Sequence, residues 1–188
     1  MDLIKAYDHV DWDLLRFILI HIGLEGDMVS WIMACVSNVQ FYVLVNGLPS
    51  QFFQIHRVLR QGFPLSPLLF LIVIDGFSRL VRDAKGQGKI QGIRLSASVC
   101  LTHVLFVNDV LLFGLDFVHE WNHFDEIIKL LCLALGMEVS IQKSCLISSV
   151  DLTKLSANVI SHYTVVDLRV GFNYLGFFPK PSRYKIKD

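Results

Sequence analysis

Thr102-His-Val-Leu-Phe-Val-Asn-Asp-Val-Leu-Leu-Phe113 places two β-prone runs, 102–106 and 110–113, on either side of the short break Val107-Asn108-Asp109. Branched and aromatic side chains suit a pleated strand, and Asn and Asp suit a tight turn, so the stretch predicts a hairpin with an amide and a carboxylate at its tip. Downstream, Phe124, Ile127, Ile128, Leu131 and Leu135 recur at helical spacing and Gly136 stops them. Short strands are expected around Glu138 to Ile141 and Tyr174 to Phe177.

Upstream of the hairpin, Leu68 to Val81 is apolar nearly all round, which predicts a helix buried on most sides. The Gly/Pro-punctuated segment Gln61 to Pro67 before it is expected to be a loop. Phe41, Val43 and Val45 alternate up to Asn46-Gly47, a strong two-residue hairpin signal, and the return runs through Phe52, Phe53 and Ile55. Two helices are expected before that. Val10, Leu14, Phe17, Ile18, His21 and Ile22 mark the first, with Asp11 or Asp13 as cap and Gly23 as stop; Asp27 to Ser37 forms the second, with Asp27 as cap. The pattern is α+β: antiparallel strands with helices packed on one face, in one domain without internal repeats.

The 188 residues are 53% hydrophobic and 18% charged, which excludes disorder and predicts apolar surface left uncovered. The longest apolar runs, around Leu68 to Ile74 and Val110 to Phe113, fall far short of the roughly 20 residues of a membrane helix, so no membrane partner is expected. Acidic Asp2 follows Met1 directly, unlike a secretory leader, so the expected location is intracellular, cytoplasm or nucleus. Cys35, Cys100, Cys132 and Cys145 lack metal-binding spacing and read as reduced core residues. Lys+Arg and Asp+Glu both total 17, a balance that argues against strong autonomous binding to phosphates.

Asp2, just before a helix, and Asn108-Asp109, at the hairpin tip, are segments that could bring hard oxygen ligands to one sheet edge. Carboxylates gathered in this way suit magnesium and two-metal phosphoryl transfer.

The residues around these carboxylates narrow the reading. Asp2-Leu-Ile-Lys-Ala-Tyr-Asp-His-Val, Arg60-Gln-Gly-Phe-Pro-Leu-Ser-Pro and Phe106-Val-Asn-Asp resemble, in order, the first palm motif, the R-Q-G-D-P-L-S-P loop and the F-A-D-D turn of non-LTR (LINE-type) retrotransposon reverse transcriptases. Met137 to Ser144 is similar to the segment ending in a K-S pair, and Tyr174-Leu-Gly-Phe to the Y-L-G motif that follows the palm. The resemblance implies a partial reverse transcriptase domain over 1–188, with palm to about 150 and the post-palm segment from about 151 to 188. It implies RNA-directed DNA polymerisation with RNA template, DNA primer, deoxynucleotides and magnesium or manganese. It assigns metal binding to Asp2 and Asp109, catalytic positions to Asp2, Asn108, Asp109 and the proton donor Lys143, and substrate contacts to the steric gate Tyr7 and to Arg60, Gln61 and Gly62.

Several positions depart from that pattern. Asn108 stands where the family's turn has its first aspartate, and a neutral amide cannot offset metal charge, a loss of several kcal/mol at about 1.4 kcal/mol per tenfold in rate. Phe63 replaces the loop's aspartate and Val107 a small alanine, which predicts crowding at both places. With one residue before Asp2, the strand carrying it and the basic fingers upstream are expected to be missing, as is most of the thumb. The expectation is a degenerate enzyme, weak or inactive: a pseudoenzyme.

Two other readings compete. A non-catalytic nucleic-acid-binding or inert remnant would use basic clusters at Arg79, Arg82, Lys85 and Lys89 and at Lys180 to Lys187. His119-Glu-Trp-Asn-His123 matches the zinc-hydrolase pattern H-E-x-x-H, without an obvious third ligand beyond Glu138.

Overall fold

The computed structural model describes residues 1–55, 57–115, 117–149 and 163–180. The chain opens with β1 (Leu3–Ile4) and a 3₁₀ turn over Ala6–His9. Helix α1 (Trp12–His21) follows, with the Asp11 carboxylate accepting from the Leu14 amide at 2.9 Å, as the cap signal predicts. Its buried face is Leu15 and Leu19, with Leu14 and Ile18 partly covered; Phe17 and Ile22 of the expected face lie exposed. The apolar stripe is therefore rotated by about one residue, because residues 14, 15, 18 and 19 repeat at i, i+1, i+4, i+5 as regularly as the set read from the sequence. Helix α2 (Gly26–Ser37) has Glu25 at its N-cap position, so Asp27 sits in the first turn near the positive end of the helix rather than at the cap.

An extended hairpin comes next, with inner and outer rungs β2 (Gln40–Phe41), β3 (Leu44–Val45), β4 (Leu48–Pro49) and β5 (Phe53–Gln54). Asn46 and Gly47 both take positive φ (52° and 81°), the two-residue turn expected of Asn-Gly. Helix α3 (Ser66–Gly86) is the longest element and buries Leu69, Phe70, Val73, Ile74, Phe77, Val81 and Ala84. Leu68 and Leu71 are more than half exposed, so one flank of α3 is open where the sequence predicts burial.

Strands β6 (Ile93–Arg94) and β7 (Cys100–Leu101) form a small hairpin that leads into β8 (His103–Phe106) and β9 (Asp109–Leu112), the hairpin that the opening stretch predicts. Helix α4 (Phe117–Leu135) buries Phe124, Ile128, Leu131 and Leu135 and ends at Gly136 (φ 66°). The chain continues through β10 (Glu138–Val139), β11 (Cys145–Ser148) and β12 (Thr164–Asp167).

Among the described residues the strands pair two by two, and β1 joins β10 antiparallel. An isolated bridge between Asp2 and Asp109 attaches β1 to β9 as well, giving a continuous order β8-β9-β1-β10 behind which α3 and α4 pack. Leu3, Val110, Phe77, Phe124 and Met137 meet in the core between them. Two expectations are corrected. Strands β11 and β12 run parallel, so the sheet pairing is not purely antiparallel. Tyr174 to Phe177 is no strand but a turn closed by the Tyr174–Phe177 bridge, with Leu175 and Gly176 at positive φ. Most of the post-palm segment, 151–162 and 181–188, and with it most of the Lys180 to Lys187 cluster, lies outside the described residues.

Of the cysteines, Cys35 and Cys145 are exposed and Cys100 and Cys132 half-buried; all are free thiols, but none is a fully buried core residue as expected.

Candidate active site

The short β1 places Asp2. The Leu3 amide donates to the Asn108 carbonyl (3.0 Å) and the Val110 amide to the Met1 carbonyl (2.8 Å), so Asp2 and Asp109 face each other as the non-hydrogen-bonded pair between these two bonds. Such pairs set their Cα atoms about 4.5 Å apart with both side chains on one face, the closest cross-strand approach in a sheet. On the other edge the Ser140 amide donates to the Asp2 carbonyl (2.9 Å), and the Asp2 amide donates to the buried Ser144 hydroxyl (3.2 Å). The strand expected to be missing is thus present in shortened form, pinned on both sides. Ser144, the serine of the K-S pair, anchors it, a role that sequence reasoning missed because a serine after a lysine carries no signal for a partner 142 residues away.

Asn108 acts directly on this pair. Its Nδ2 donates to Asp2 Oδ1 at 2.6 Å, while Lys143 Nζ stands 3.7 Å from Asp2 Oδ2. An ionised carboxylate only accepts, so the amide nitrogen is the end that faces it. One oxygen of Asp2 thus accepts from a neutral donor and the other faces a cation at ion-pair distance. Asn108 does more than omit a charge: it caps one of the two carboxylates that remain.

The turn itself is strained. Val107 takes φ 54°, where a β-branched residue is unfavourable by about 1–2 kcal/mol. The residue is 38% exposed, so its bulk is partly open to solvent, and the cost lies in the backbone. Behind the turn, His103 ties β8 to α3, with Nδ1 3.0 Å from the Thr102 hydroxyl and Nε2 3.0 Å from the Ser78 hydroxyl. Burial, and then the nearby Arg82 charge, lower the pKa of His103 and keep the ring neutral. Tyr174 also reaches this region: its hydroxyl is buried without a hydrogen-bond partner among the described residues, and burial first, then the Asp109 charge, raise its pKa.

The predicted substrate contacts form a second group. Tyr7 lies in the 3₁₀ turn, stacked on Phe70 of α3 with ring centroids 4.8 Å apart, and its carbonyl accepts from the Leu59 amide at 2.7 Å. That bond joins the Asp2 segment to the loop carrying Arg60, Gln61 and Gly62 just before α3. Gln61 and Gly62 are exposed, and Gly62 supplies the positive φ (83°) of the turn. Phe63 does not crowd this loop; its ring lies under the Arg60 guanidinium, 4.5 Å from centroid to Cζ, a cation–π contact where the family has a carboxylate.

The reverse transcriptase (RNA-dependent DNA polymerase) family matches residues 1–178. The chain belongs to the reverse transcriptase family. It is 26% identical over 112 residues, 60% of its length, to the retrovirus-related Pol polyprotein from type-1 retrotransposable element R2 of Popillia japonica, and covers 18% of that protein. It is 44% identical over 72 residues, 37% of its length, to an uncharacterized mitochondrial protein of Arabidopsis thaliana, covering 59% of it. The chain thus spans less than two thirds of either relative.

Reverse transcriptases work with divalent metal ions, and the two carboxylates that face each other here are hard oxygen donors of the right kind. Among the described residues, no group of three or more His, Cys, Asp or Glu gathers to hold an ion. The zinc-hydrolase segment is used differently. Glu120 is buried in the first turn of α4 and accepts from the backbone amides of Gln91 (3.1 Å), Gly92 (3.2 Å) and Leu115 (3.1 Å). A carboxylate engaged in this way braces the β6–β7 hairpin and is not a base aimed at a metal on exposed His119 and half-buried His123. No helix of the described residues is long and apolar enough to cross a membrane.

Proposed function

We propose that the chain is a reverse transcriptase palm, from residue 1 to about 150 with the Y-L-G segment after it, whose RNA-directed DNA polymerisation is weak or silent because Asn108 has closed its metal site. The observation that carries this reading is the Asn108 amide on Asp2 Oδ1, directly beside Asp109. Asp2 and Asp109 are the residues that would hold magnesium or manganese, which when bound supplies charge neutralisation at the transferring phosphoryl group. Tyr7, stacked on Phe70 next to the 57–62 loop, would be the steric gate at the sugar of an incoming deoxynucleotide. Arg60, Gln61 and Gly62 line the approach of template and nucleotide. Lys143 is the proton donor to pyrophosphate, but its ammonium must first leave the Asp2 carboxylate.

The test is primer extension on an RNA template with magnesium or manganese, comparing the chain with its Asn108→Asp variant. Restoring the carboxylate removes the cap and adds a metal charge, so extension should rise about 100-fold or more, equivalent to at least ~2.7 kcal/mol. If neither protein extends a primer while both remain folded, the palm reading of the site fails. Extension by the parent equal to that of the variant would show that Asn108 does not silence it.

A further inference from the structure

We propose that the cleft between the end of α3 and the β6–β7 hairpin is a binding site for backbone phosphates of single-stranded RNA, separate from the polymerase site. The cleft has a volume of about 340 Å³ and is lined by Lys85, Gly92, Arg94, Ser96 and Ser98, among others. Lys85 and Arg94 make no ion pair with a carboxylate among the described residues. Ser96 Oγ accepts from the amides of Ser98 (3.3 Å) and Val99 (3.1 Å), which leaves its own proton free to donate to an anion.

The frame is preorganised. The Leu95 amide closes the hairpin on the Val99 carbonyl (2.9 Å), the Cys100 thiol donates to the Gln91 carbonyl (2.9 Å), and Glu120 clasps the amides of Gln91 and Gly92. At Gly92 (φ 70°) a Cβ would stand 2.5 Å from the Leu101 carbonyl oxygen, so only glycine forms this floor. The carboxylate behind this floor is that of Glu120, which faces the backbone amides of Gln91, Gly92 and Leu115 and leaves one negative charge behind the floor against the two cations Lys85 and Arg94.

Charge distribution supports the same conclusion. The whole chain is neutral, yet residues 75–94 hold Arg79, Arg82, Lys85, Lys89 and Arg94 against Asp75 and Asp83 alone. Arg79 is taken by Asp75 at 2.7 Å, and Asp83, two positions before Lys85, points about 200° away from it around the helix. With Glu120 counted, the cleft still holds Lys85 and Arg94 against one carboxylate, a local positive excess in a chain that is neutral overall.

Position separates this site from the catalytic pair. The 21 residues of α3 span about 30 Å, with the Arg60–Gly62 loop at one end and Lys85 in the last turn. Strand β8 likewise runs from the cleft end, next to β7, to the Asn108 turn. A strand held at the cleft would approach the palm from its far end.

The choice of RNA as ligand rests on the reverse transcriptase reading, so the experiment uses binding alone, with EDTA and without nucleotides. The probe is a short unstructured single-stranded RNA, its affinity followed by fluorescence anisotropy over a salt series. Lys85→Gln/Arg94→Gln should weaken binding about tenfold and flatten the salt dependence by about 1.5 in log–log slope, at ~0.7–0.9 for each phosphate that is no longer neutralised. The charge-matched pair Arg16→Gln/Lys129→Gln should leave both unchanged. Equal effects in the two pairs, or none in the first, overturn the site. Binding of pyrophosphate that depends on Lys85 and Arg94, with RNA affinity indifferent to them, overturns RNA as the ligand. None of these results depends on whether Asn108→Asp extends a primer.

Discussion

At the scale of single residues the decisive fact is that Asn108 donates to Asp2, and the sequence carried half of it. The substitution was legible because the turn resembles a known motif; the amide's contact was not, because it depends on β1 lying beside β9, a pairing across 106 residues. Val107 gives the converse case. Its bulk is visible in the sequence and suggests crowding, but the structure leaves the residue partly open to solvent and puts the strain in φ. Replacement by glycine should then stabilise the protein: relief of about 1–2 kcal/mol of left-handed strain outweighs the ~0.5–1 kcal/mol that glycine loses in unfolded-chain entropy. Urea denaturation of Val107→Gly is expected to show a net gain of about 0.5–1 kcal/mol with unchanged slope. A net loss would mean that the turn holds its φ without strain.

At the scale of elements, local signals in the sequence mark helices and hairpins more sharply than the faces those elements bury. Asp11, Asn46-Gly47 and Gly136 are local signals, and each marks the boundary that the sequence assigns. The face of α1 was misjudged because two overlapping apolar stripes fit one helix, and only packing against α2 and α3 selects Leu15 and Leu19. Glu120 shows the same limit in a motif. H-E-x-x-H fixes which residues lie one turn apart but not which way the glutamate faces, and here it faces the β6–β7 hairpin. Glu120→Ala leaves three backbone donors without their acceptor, which at ~1 kcal/mol or more each should cost about 3 kcal/mol of stability in denaturant unfolding. His119→Ala/His123→Ala should change stability by less than about 0.5 kcal/mol and leave zinc content unaltered. Stability indifferent to Glu120, together with zinc that is lost with the histidines, would reinstate the hydrolase reading.

At the scale of the whole molecule, the apolar excess in the composition takes a definite place. The β2–β5 hairpin projects Val43, Leu44, Val45, Leu48 and Phe52 into solvent, with Leu48 72% exposed, and the open flank of α3 adds Leu68 and Leu71. Composition predicted bare apolar surface but not its location, since alternation in a hairpin marks a buried face only when something lies against it. A twisted ribbon with apolar residues on both faces and free edges is prone to pair with a second copy. The chain alone should therefore elute as polydisperse assemblies in size-exclusion chromatography with light scattering. Leu44→Lys/Leu48→Lys should shift it toward monomer while changing unfolding stability by less than about 0.5 kcal/mol, because neither side chain contributes to the core. A monodisperse parent would remove the hairpin as the cause, and assemblies that persist in the double variant would move it to the α3 flank, where Leu68→Lys/Leu71→Lys gives the corresponding test.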